Sequence, residues 1–263
     1  MFKKLRSLVG RLFDENKQML IVMHLSNFFW FFRKYFLSVV IKYPEDFLKN
    51  WSIIKDHSSQ DKERNFTVYQ MIKVHNEIFK NRRTNIIEFG VDRGGTLSTI
   101  CSFVKSNTKI FALDSFGFYA DEIKKGVTDY DSHYLGKYKP FTKDSRFKNF
   151  DYLSLEKELN EDLIKKNSNL DIIKCFFPTK IDNDKEKEIN SLKYSFVHID
   201  FDLYKPTLEV IQFIKSRLEN NAIILIDDYN FINQEGVKCA VRDSGMNLNK
   251  SIQTQSGQLI CWA

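Results

Sequence analysis

Four aspartates directly follow two apolar segments of the chain. Each segment is typical of a buried strand, so each strand would end in a pair of carboxylates. The four are Asp200, Asp202, Asp227 and Asp228. If they come together they repel one another unless protons or a cation neutralise them. A hard divalent metal such as Mg²⁺, which prefers oxygen ligands, is the simplest way to satisfy this group.

The two segments, residues 196–199 and 222–226, are almost entirely apolar, as in strands covered on both faces of a parallel α/β sheet. Ligands bind such sheets beyond the carboxyl ends of the strands. Because side chains alternate along a strand, His198 points to the same side as Asp200 and Asp202. We assign His198 a supporting catalytic role, orienting Asp200 or the acceptor. A hydrogen-bonded core histidine is the open alternative.

A glycine turn follows an earlier apolar run. The run ends in Phe89, the turn contains Gly90 and Gly94, and a helical pattern comes next. Strand, glycine turn and helix form the first unit of a dinucleotide-type fold, in which the backbone approaches the ligand closely. The following apolar run ends in Asp114 and Ser115, where an acid is placed to accept hydrogen bonds from ribose hydroxyls. A turn-forming role for Asp114 is the open alternative.

Composition limits the class of protein. A chain of 263 residues can hold one large α/β domain and an appendage. With 40 basic and 34 acidic residues the net charge is +6, and no basic stripe surrounds the acidic site, so we expect no nucleic-acid partner. The four cysteines include no C-x-x-C pair, which indicates free thiols in a reducing compartment. We therefore expect a cytoplasmic protein.

Residues 1–58 form a basic and aromatic N-terminal helical extension, distinct from the Rossmann-like domain expected over residues 59–263. Their uncharged stretch, residues 18–32, is shorter than the roughly 20 residues of a membrane-spanning helix. Two interpretations remain: helices packed on the main domain or a second subunit, or an amphipathic segment on an anionic membrane surface. We favour packing and expect a homo-oligomer, with peripheral membrane contact as the alternative.

Residues 116–150 form a long polar connection with several glycines and tyrosines. A connection of this length inside a compact domain is normally functional, so we predict a lid over the site. Its aromatic side chains suit stacking on a sugar, and could equally pack the loop against itself.

Four motifs occur in the order found in a known family. They are Ile87-Glu88-Phe89-Gly90-Val91 with Gly94-Gly95, Asp114-Ser115-Phe116, His198-Ile199-Asp200-Phe201-Asp202-Leu203-Tyr204, and Asp227-Asp228-Tyr229. In this order they resemble the macrocin (TylF-type) sugar O-methyltransferases. The resemblance covers roughly residues 60–263 and leaves the N-terminal extension unexplained.

The resemblance implies a class I S-adenosylmethionine methyltransferase fold, S-adenosylmethionine as methyl donor, a divalent cation (usually Mg²⁺) and a sugar hydroxyl as acceptor. A hairpin expected around Ser256 and Gly257 would add an antiparallel C-terminal edge to the otherwise mostly parallel sheet. Carried over by position, the metal ligands are Asp200, Asp227 and Asp228. The general base is Asp202. The cofactor contacts are Glu88, Gly90, Gly94, Asp114 and Ser115.

Two rival functions use the same residues. Asp200-Phe201-Asp202 is also a D-x-D motif, which binds metal and nucleotide in many glycosyltransferases that use a nucleotide-sugar donor. That reading leaves the second acid pair and the glycine turn without a role. A third reading is a non-catalytic member of the fold that tethers a complex to membrane through residues 1–58.

We expect a methyltransferase acting on a small-molecule or glycan sugar acceptor. The lack of an export signal fits a bacterial surface-glycan or capsule pathway, with secondary-metabolite biosynthesis as the other setting suggested by the resemblance.

Overall fold

The computed structural model describes residues 42–56, 58, 60–116, 127–131, 169–230 and 235–263. Most of the N-terminal extension and most of the predicted lid lie outside these residues. The chain from Glu45 to Ala263 forms one compact unit. Within the described residues no helix is long and apolar enough to cross a membrane.

A seven-stranded sheet forms the centre of this unit, with strand order β3-β2-β1-β4-β5-β7-β6. The first five strands run parallel to their neighbours, whereas β7 pairs antiparallel with both β5 and β6. The strands are β1 (Thr84–Phe89), β2 (Thr108–Asp114), β3 (Leu170–Lys174), β4 (Tyr194–Ile199), β5 (Leu218–Ile226), β6 (Ser251–Gln253) and β7 (Leu259–Trp262). The predicted mostly parallel sheet with an antiparallel C-terminal edge is confirmed.

Helices cover both faces of the sheet. In the described residues they are α1 (Glu45–Ile54), α2 (Lys62–Ile78), α3 (Gly95–Phe103), α4 (Asn183–Ser191), α5 (Tyr204–Ile214) and α6 (Glu235–Asp243), with a short 3₁₀ turn at Asp129–Asp131. One apolar core lies between the sheet and α4, α5 and α6, and a second lies between the sheet and α2 and α3. With both faces covered, all six residues of β4 are buried, including the polar Ser195 and His198.

The strand register brings the acid-bearing ends together. Ile199 at the end of β4 pairs with Ile226 at the end of β5, so the residues after them, Asp200 and Asp227, leave the sheet side by side. The backbone N–H of Asp227 donates to the carbonyl of Ile199 at 2.8 Å, which extends the pairing by one residue. Backbone pairing alone therefore positions both acids at the carboxyl edge of the sheet.

Helix α2 connects the second core to this edge. It begins after Asp61, whose carboxylate accepts a hydrogen bond from the backbone N–H of Arg64 at 3.0 Å and caps the helix. Further along α2, His75 is 1% exposed and its Nε2 lies 2.8 Å from the Ser195 hydroxyl. Burial lowers the pKa of His75 to about 4, so this histidine is neutral and structural.

Helix α1 packs on the same domain. Phe47 is fully buried against the rings of Phe66 and Tyr69 in α2, with ring centroids 5.0 and 5.4 Å apart. The side-chain amide of Asn50 donates to the hydroxyl of Ser102 in α3 at 2.8 Å. The part of the predicted extension that forms α1 is therefore joined to the domain by both apolar and polar contacts.

The turn after β1 passes very close to the segment after β4. Gly90 has φ +88°, and a Cβ placed on it would lie 2.0 Å from the carbonyl oxygen of Asp200. The Asp200 N–H donates to the carbonyl of Phe89 at 2.8 Å, which holds the two segments together. A side chain at position 90 would separate them, so glycine is needed here both for the positive φ and for the space.

Replacing Gly90 by alanine tests this close approach, and the same replacement at Gly245 is the matched control. Gly245 also has a positive φ (+65°), but the nearest atom to its added Cβ is Lys215 Nζ at 3.8 Å. Gly245→Ala should cost about 1 kcal/mol of unfolding free energy from the left-handed backbone alone. Gly90→Ala should cost about 3 kcal/mol or more, because a backbone clash is added. Urea unfolding of both variants measures the difference, and equal losses would contradict the contact.

Candidate active site

All four predicted aspartates meet at the carboxyl edge of β4 and β5. Asp227 and Asp228 are 1% and 4% exposed, and Asp200 and Asp202 are partly buried. Their potential ligand atoms form two groups, each within 4.8 Å: His198, Asp200 and Asp227, and Asp200, Asp202 and Asp228. Asp200 belongs to both groups. The four acids are thus linked through Asp200, but the predicted metal ligands Asp200, Asp227 and Asp228 do not all fall within one group.

Two of the acids depend on an uncommon backbone conformation. Asp202 has φ +61° and Asp228 has φ +56°. The left-handed region costs an L-residue roughly 1–2 kcal/mol, and aspartate tolerates it better than most residues do. The chain thus turns sharply after each strand at an acid, which brings Asp202 and Asp228 into the same group. Strain held at the edge of a sheet in this way is typical of functional sites.

Burial and mutual repulsion raise the proton affinity of the cluster. Loss of water raises the pKa of Asp200 well above its ordinary value, and the charges of Asp227 and Asp228 raise it further. The pKa of Asp202 is also raised well above normal, by burial and by a hydrogen bond with Asp228. Burial likewise raises the pKa of Asp227. The cluster therefore holds protons or a cation more readily than separate carboxylates would.

Two residues that the sequence analysis missed offset part of this charge. Arg64 reaches Asp228 Oδ1 with Nη2 at 2.7 Å and Asp227 Oδ1 with Nη1 at 3.4 Å. Burial on its own lowers the pKa of Arg64, but attraction to Asp227, Asp228 and Asp200 raises it overall, so the guanidinium stays charged. Gln60 donates from Nε2 to Asp200 Oδ2 at 2.9 Å and also to Asp227 Oδ2.

A sequence signal for Arg64 does exist. It lies four residues before Val68, a buried residue of α2, and so on the helix face that points into the protein. A basic residue on an otherwise inward face needs a buried partner. Gln60 offers no comparable signal, because its position before the helix follows no periodic pattern.

His198 and Glu88 form a buried pair beneath the acids. The register places Glu88 of β1 directly beside His198 of β4, and His198 Nδ1 lies 2.9 Å from Glu88 Oε1. Both side chains have no exposed surface. Burial raises the pKa of Glu88, and its contact with His198 opposes that rise. Glu88, which the resemblance assigns to the cofactor, is thus enclosed by protein and bonded to the histidine.

Asp114 organises the glycine turn. Its Oδ2 accepts hydrogen bonds from the backbone N–H groups of Val91 and Asp92 at 2.6 and 2.8 Å, and its Oδ1 accepts from that of Phe116 at 2.6 Å. A carboxylate has about four acceptor positions, so one remains for a ribose hydroxyl. Burial nevertheless raises the pKa of Asp114, although these backbone donors lower it. The predicted turn-forming role is therefore present in the structure.

The rest of the turn completes a cradle for a ligand. Gly94 has φ +83° and immediately precedes α3, where the helix N-terminus presents its backbone N–H groups. Ser115 follows β2 at the same edge and is partly buried. The turn thus lies at the carboxyl edge of the sheet, where a cofactor binds in folds of this class.

One described part of the predicted lid is anchored near the acids. Asp131 Oδ1 accepts a hydrogen bond from the backbone N–H of Tyr204, the first residue of α5, at 2.9 Å. Asp131 Oδ2 accepts from both the N–H and the hydroxyl of Thr128. The rings of Tyr130 and Tyr204 lie 4.7 Å apart. Residues 127–131 are therefore bonded to Tyr204, which is only two residues after Asp202 in the chain. Most of the other residues of the predicted lid lie outside the described chain.

The cluster fits a divalent cation, and the turn fits a nucleoside-containing cofactor. The carboxylates offer hard oxygen donors, and among the described residues Gln60 Oε1 and His198 Nε2 are buried atoms without a hydrogen-bond partner. The turn offers a glycine bend, a helix N-terminus and the remaining acceptor position of Asp114. Both predicted ligands thus find suitable groups at one edge.

No protein-family model and no curated protein sequence matches the chain. Solved structures do match its fold. CalS11, a calicheamicin methyltransferase, has a TM-score of 0.58 at 16% identity, covering 95% of this chain and 94% of that one. The O-methyltransferase NovP has a TM-score of 0.56 at 17% identity, covering 78% of this chain and 81% of its own. The chain therefore has the Rossmann-like fold of these methyltransferases.

Proposed function

We propose that the protein is an S-adenosylmethionine-dependent and divalent-cation-dependent O-methyltransferase acting on a sugar hydroxyl. The observation that carries this proposal is the meeting of four carboxylates beside the glycine turn at one edge of the sheet. The fold shared with CalS11 and NovP supports it. The motif order described above supports membership of the macrocin (TylF-type) group.

Apart from Glu88, the residues take the roles that the resemblance assigns. The cation would be held by Asp200, Asp227 and Asp228. The cofactor would be held by the turn and strand-end residues Gly90, Gly94, Asp114 and Ser115. Glu88, which the resemblance also assigns to the cofactor, has no exposed surface and pairs with His198, so it would support the site from behind. For Gly90 the support is a backbone that leaves no room for a side chain, and for Asp114 it is the one acceptor position left after its three backbone bonds.

The chemistry requires deprotonation of a weakly acidic alcohol. When bound, the cation supplies positive charge that stabilises the oxygen as its proton leaves. Asp202, with its raised pKa, accepts this proton, because a base with an elevated pKa is a better match for an alcohol than an ordinary carboxylate. The oxygen then takes the methyl group from the sulfonium, whose carbon–sulfur electron pair stays on sulfur. The products are a methyl ether, S-adenosylhomocysteine and a protonated Asp202.

The acceptor is proposed from the chemistry of a structural neighbour. One structural neighbour, with a TM-score of 0.50, is described as a TDP-rhamnose 3′-O-methyltransferase. We propose a sugar of similar chemistry, free or within a glycan, in a bacterial surface-glycan, capsule or secondary-metabolite pathway. A cytoplasmic homo-oligomer completes this proposal, with residues 1–58 packed on the main domain or on a second subunit and peripheral membrane contact as the alternative.

The glycosyltransferase alternative accounts for fewer of the observed contacts. It uses Asp200 and Asp202, but it gives no function to Asp227 and Asp228, which lie in the same cluster, or to the turn organised by Asp114. A non-catalytic tether would gain nothing from placing four carboxylates together against their mutual repulsion.

A thermal-shift comparison tests the proposal. S-adenosylhomocysteine at about 100 times its Kd should stabilise the protein by about 2.7 kcal/mol, which corresponds to a rise in Tm of roughly 5–10 °C. UDP or GDP with Mn²⁺ should produce no rise beyond that of Mn²⁺ alone. Stabilisation by a nucleoside diphosphate and not by S-adenosylhomocysteine would identify a glycosyltransferase, and stabilisation by neither would favour the tether.

Replacing Asp202 by asparagine tests the general base. The amide keeps the size of the side chain and cannot accept the proton, so kcat should fall by about 100-fold or more. The Kd of S-adenosylhomocysteine, measured calorimetrically, should stay within about twofold. Asp184→Asn is the matched control, because that carboxylate is 93% exposed and belongs to the surface of α4. An Asp202→Asn enzyme with unchanged kcat would rule out this role.

A further inference from the structure

The two ring nitrogens of His198 differ in their hydrogen bonding. Nδ1 is paired with Glu88, as described above, whereas Nε2 is buried and has no hydrogen-bond partner within the described chain. The side chain has no exposed surface, so water cannot reach this nitrogen from outside. A buried polar atom without a partner is uncommon in folded proteins and calls for an explanation.

The imidazole belongs to the acid cluster. His198, Asp200 and Asp227 offer ligand atoms that all lie within 4.8 Å of one another. The sheet enforces this grouping, because Asp200 is two residues after His198 on the same side of β4 and Asp227 follows the paired position of β5. A cation bound among them would give the histidine nitrogen the partner that the protein does not supply.

Gln60 lies at the same place and is also incompletely bonded. Its Nε2 donates to both Asp200 and Asp227, so a neutral N–H group bridges the two carboxylates. Its Oε1 is buried and lacks a donor among the described residues, and the residue is 9% exposed. Rotation of the amide by half a turn would exchange the two atoms and present an oxygen between the carboxylates.

The other acid group already has a positive charge beside it. Arg64 contacts one acid of each group, Asp228 at 2.7 Å and Asp227 at 3.4 Å, and its shorter contact is with the group formed by Asp200, Asp202 and Asp228. A divalent cation there would be repelled by the guanidinium. The group containing His198 has the longer Arg64 contact, at Asp227, and its two carboxylates are bridged by the neutral amide of Gln60, so an incoming cation meets less repulsion there.

Glu88 supplies a further reason to place a metal ion at His198. Histidines that bind metals usually hold their second nitrogen with a carboxylate or carbonyl, which fixes the ring and strengthens the bonding nitrogen. A fully buried carboxylate 2.9 Å from Nδ1 provides this arrangement for His198.

We propose that the cation of this site is bound through nitrogen as well as oxygen, with His198 Nε2 joining Asp200 and Asp227 in place of Asp228, and with Gln60 supplying its oxygen after rotation. The inference rests on the proposed function and refines its metal chemistry. An imidazole ligand favours ions such as Mn²⁺ and Co²⁺ over Mg²⁺, which prefers oxygen alone. The site therefore selects a transition metal.

Pulsed electron paramagnetic resonance of the full-length protein loaded with Mn²⁺ tests this directly, because a coordinated imidazole produces a ¹⁴N modulation. The wild type should show it and should bind Mn²⁺ at least about 10-fold more tightly than Mg²⁺ in calorimetric titrations. His198→Gln should lose the modulation and bind Mn²⁺ at least about 10-fold more weakly. His75→Gln, which removes a second buried histidine far along α2, should retain both properties.

A second variant covers the case in which His198→Gln does not fold. Glu88→Gln keeps the imidazole and removes the charge behind it, so it should retain the modulation and weaken Mn²⁺ binding by about 10-fold or more. Any one of four results would overturn the inference. They are Mn²⁺ binding without a ¹⁴N modulation, a modulation that survives in His198→Gln, equal affinities for Mn²⁺ and Mg²⁺, and no Mn²⁺ binding. Binding of S-adenosylhomocysteine without metal separates this failure from failure of the proposed function.

Discussion

Four carboxylates held at one edge of a buried sheet are the constraint on which the rest of the site depends. Burial, together with their mutual repulsion, raises the pKa values of Asp200 and Asp202, and the protein offsets only part of the charge, through Arg64 and Gln60. A protein that used these acids only for structure would gain more stability from apolar residues. In the proposed function, the remaining negative charge drives the binding of a cation.

The backbone around the cluster is organised for the same purpose. Gly90 lets the turn after β1 touch the backbone of Asp200, so the cofactor cradle and the acids share one contact. Asp114 fixes the other side of that turn through backbone N–H groups, and Asp131 fixes a piece of the lid at the start of α5. The glycine turn, the acid cluster and residues 127–131 are therefore connected by short backbone contacts. Under the proposed function, this arrangement would align a methyl group and a hydroxyl.

Much of this arrangement could be predicted from sequence, because it follows from strand patterns. Apolar runs located β4 and β5, side-chain alternation placed His198 with the acids, and the C-terminal hairpin predicted the antiparallel edge formed by β6 and β7. The contacts of Gln60 could not be predicted, because it meets Asp227 across 167 positions of sequence with no periodic signal. The Glu88–His198 pair required the register of β1 against β4, which one sequence does not reveal.

The central claim is that the ends of β4 and β5 surround a single cation that faces the methyl donor. Anomalous diffraction from crystals grown with Mn²⁺ and S-adenosylhomocysteine measures this most directly. The account predicts one manganese peak in contact with carboxylate oxygens of both Asp200 and Asp227, and a cofactor sulfur directed towards it from the Gly90 turn. A peak at a different place, or a cofactor bound away from that turn, would contradict it.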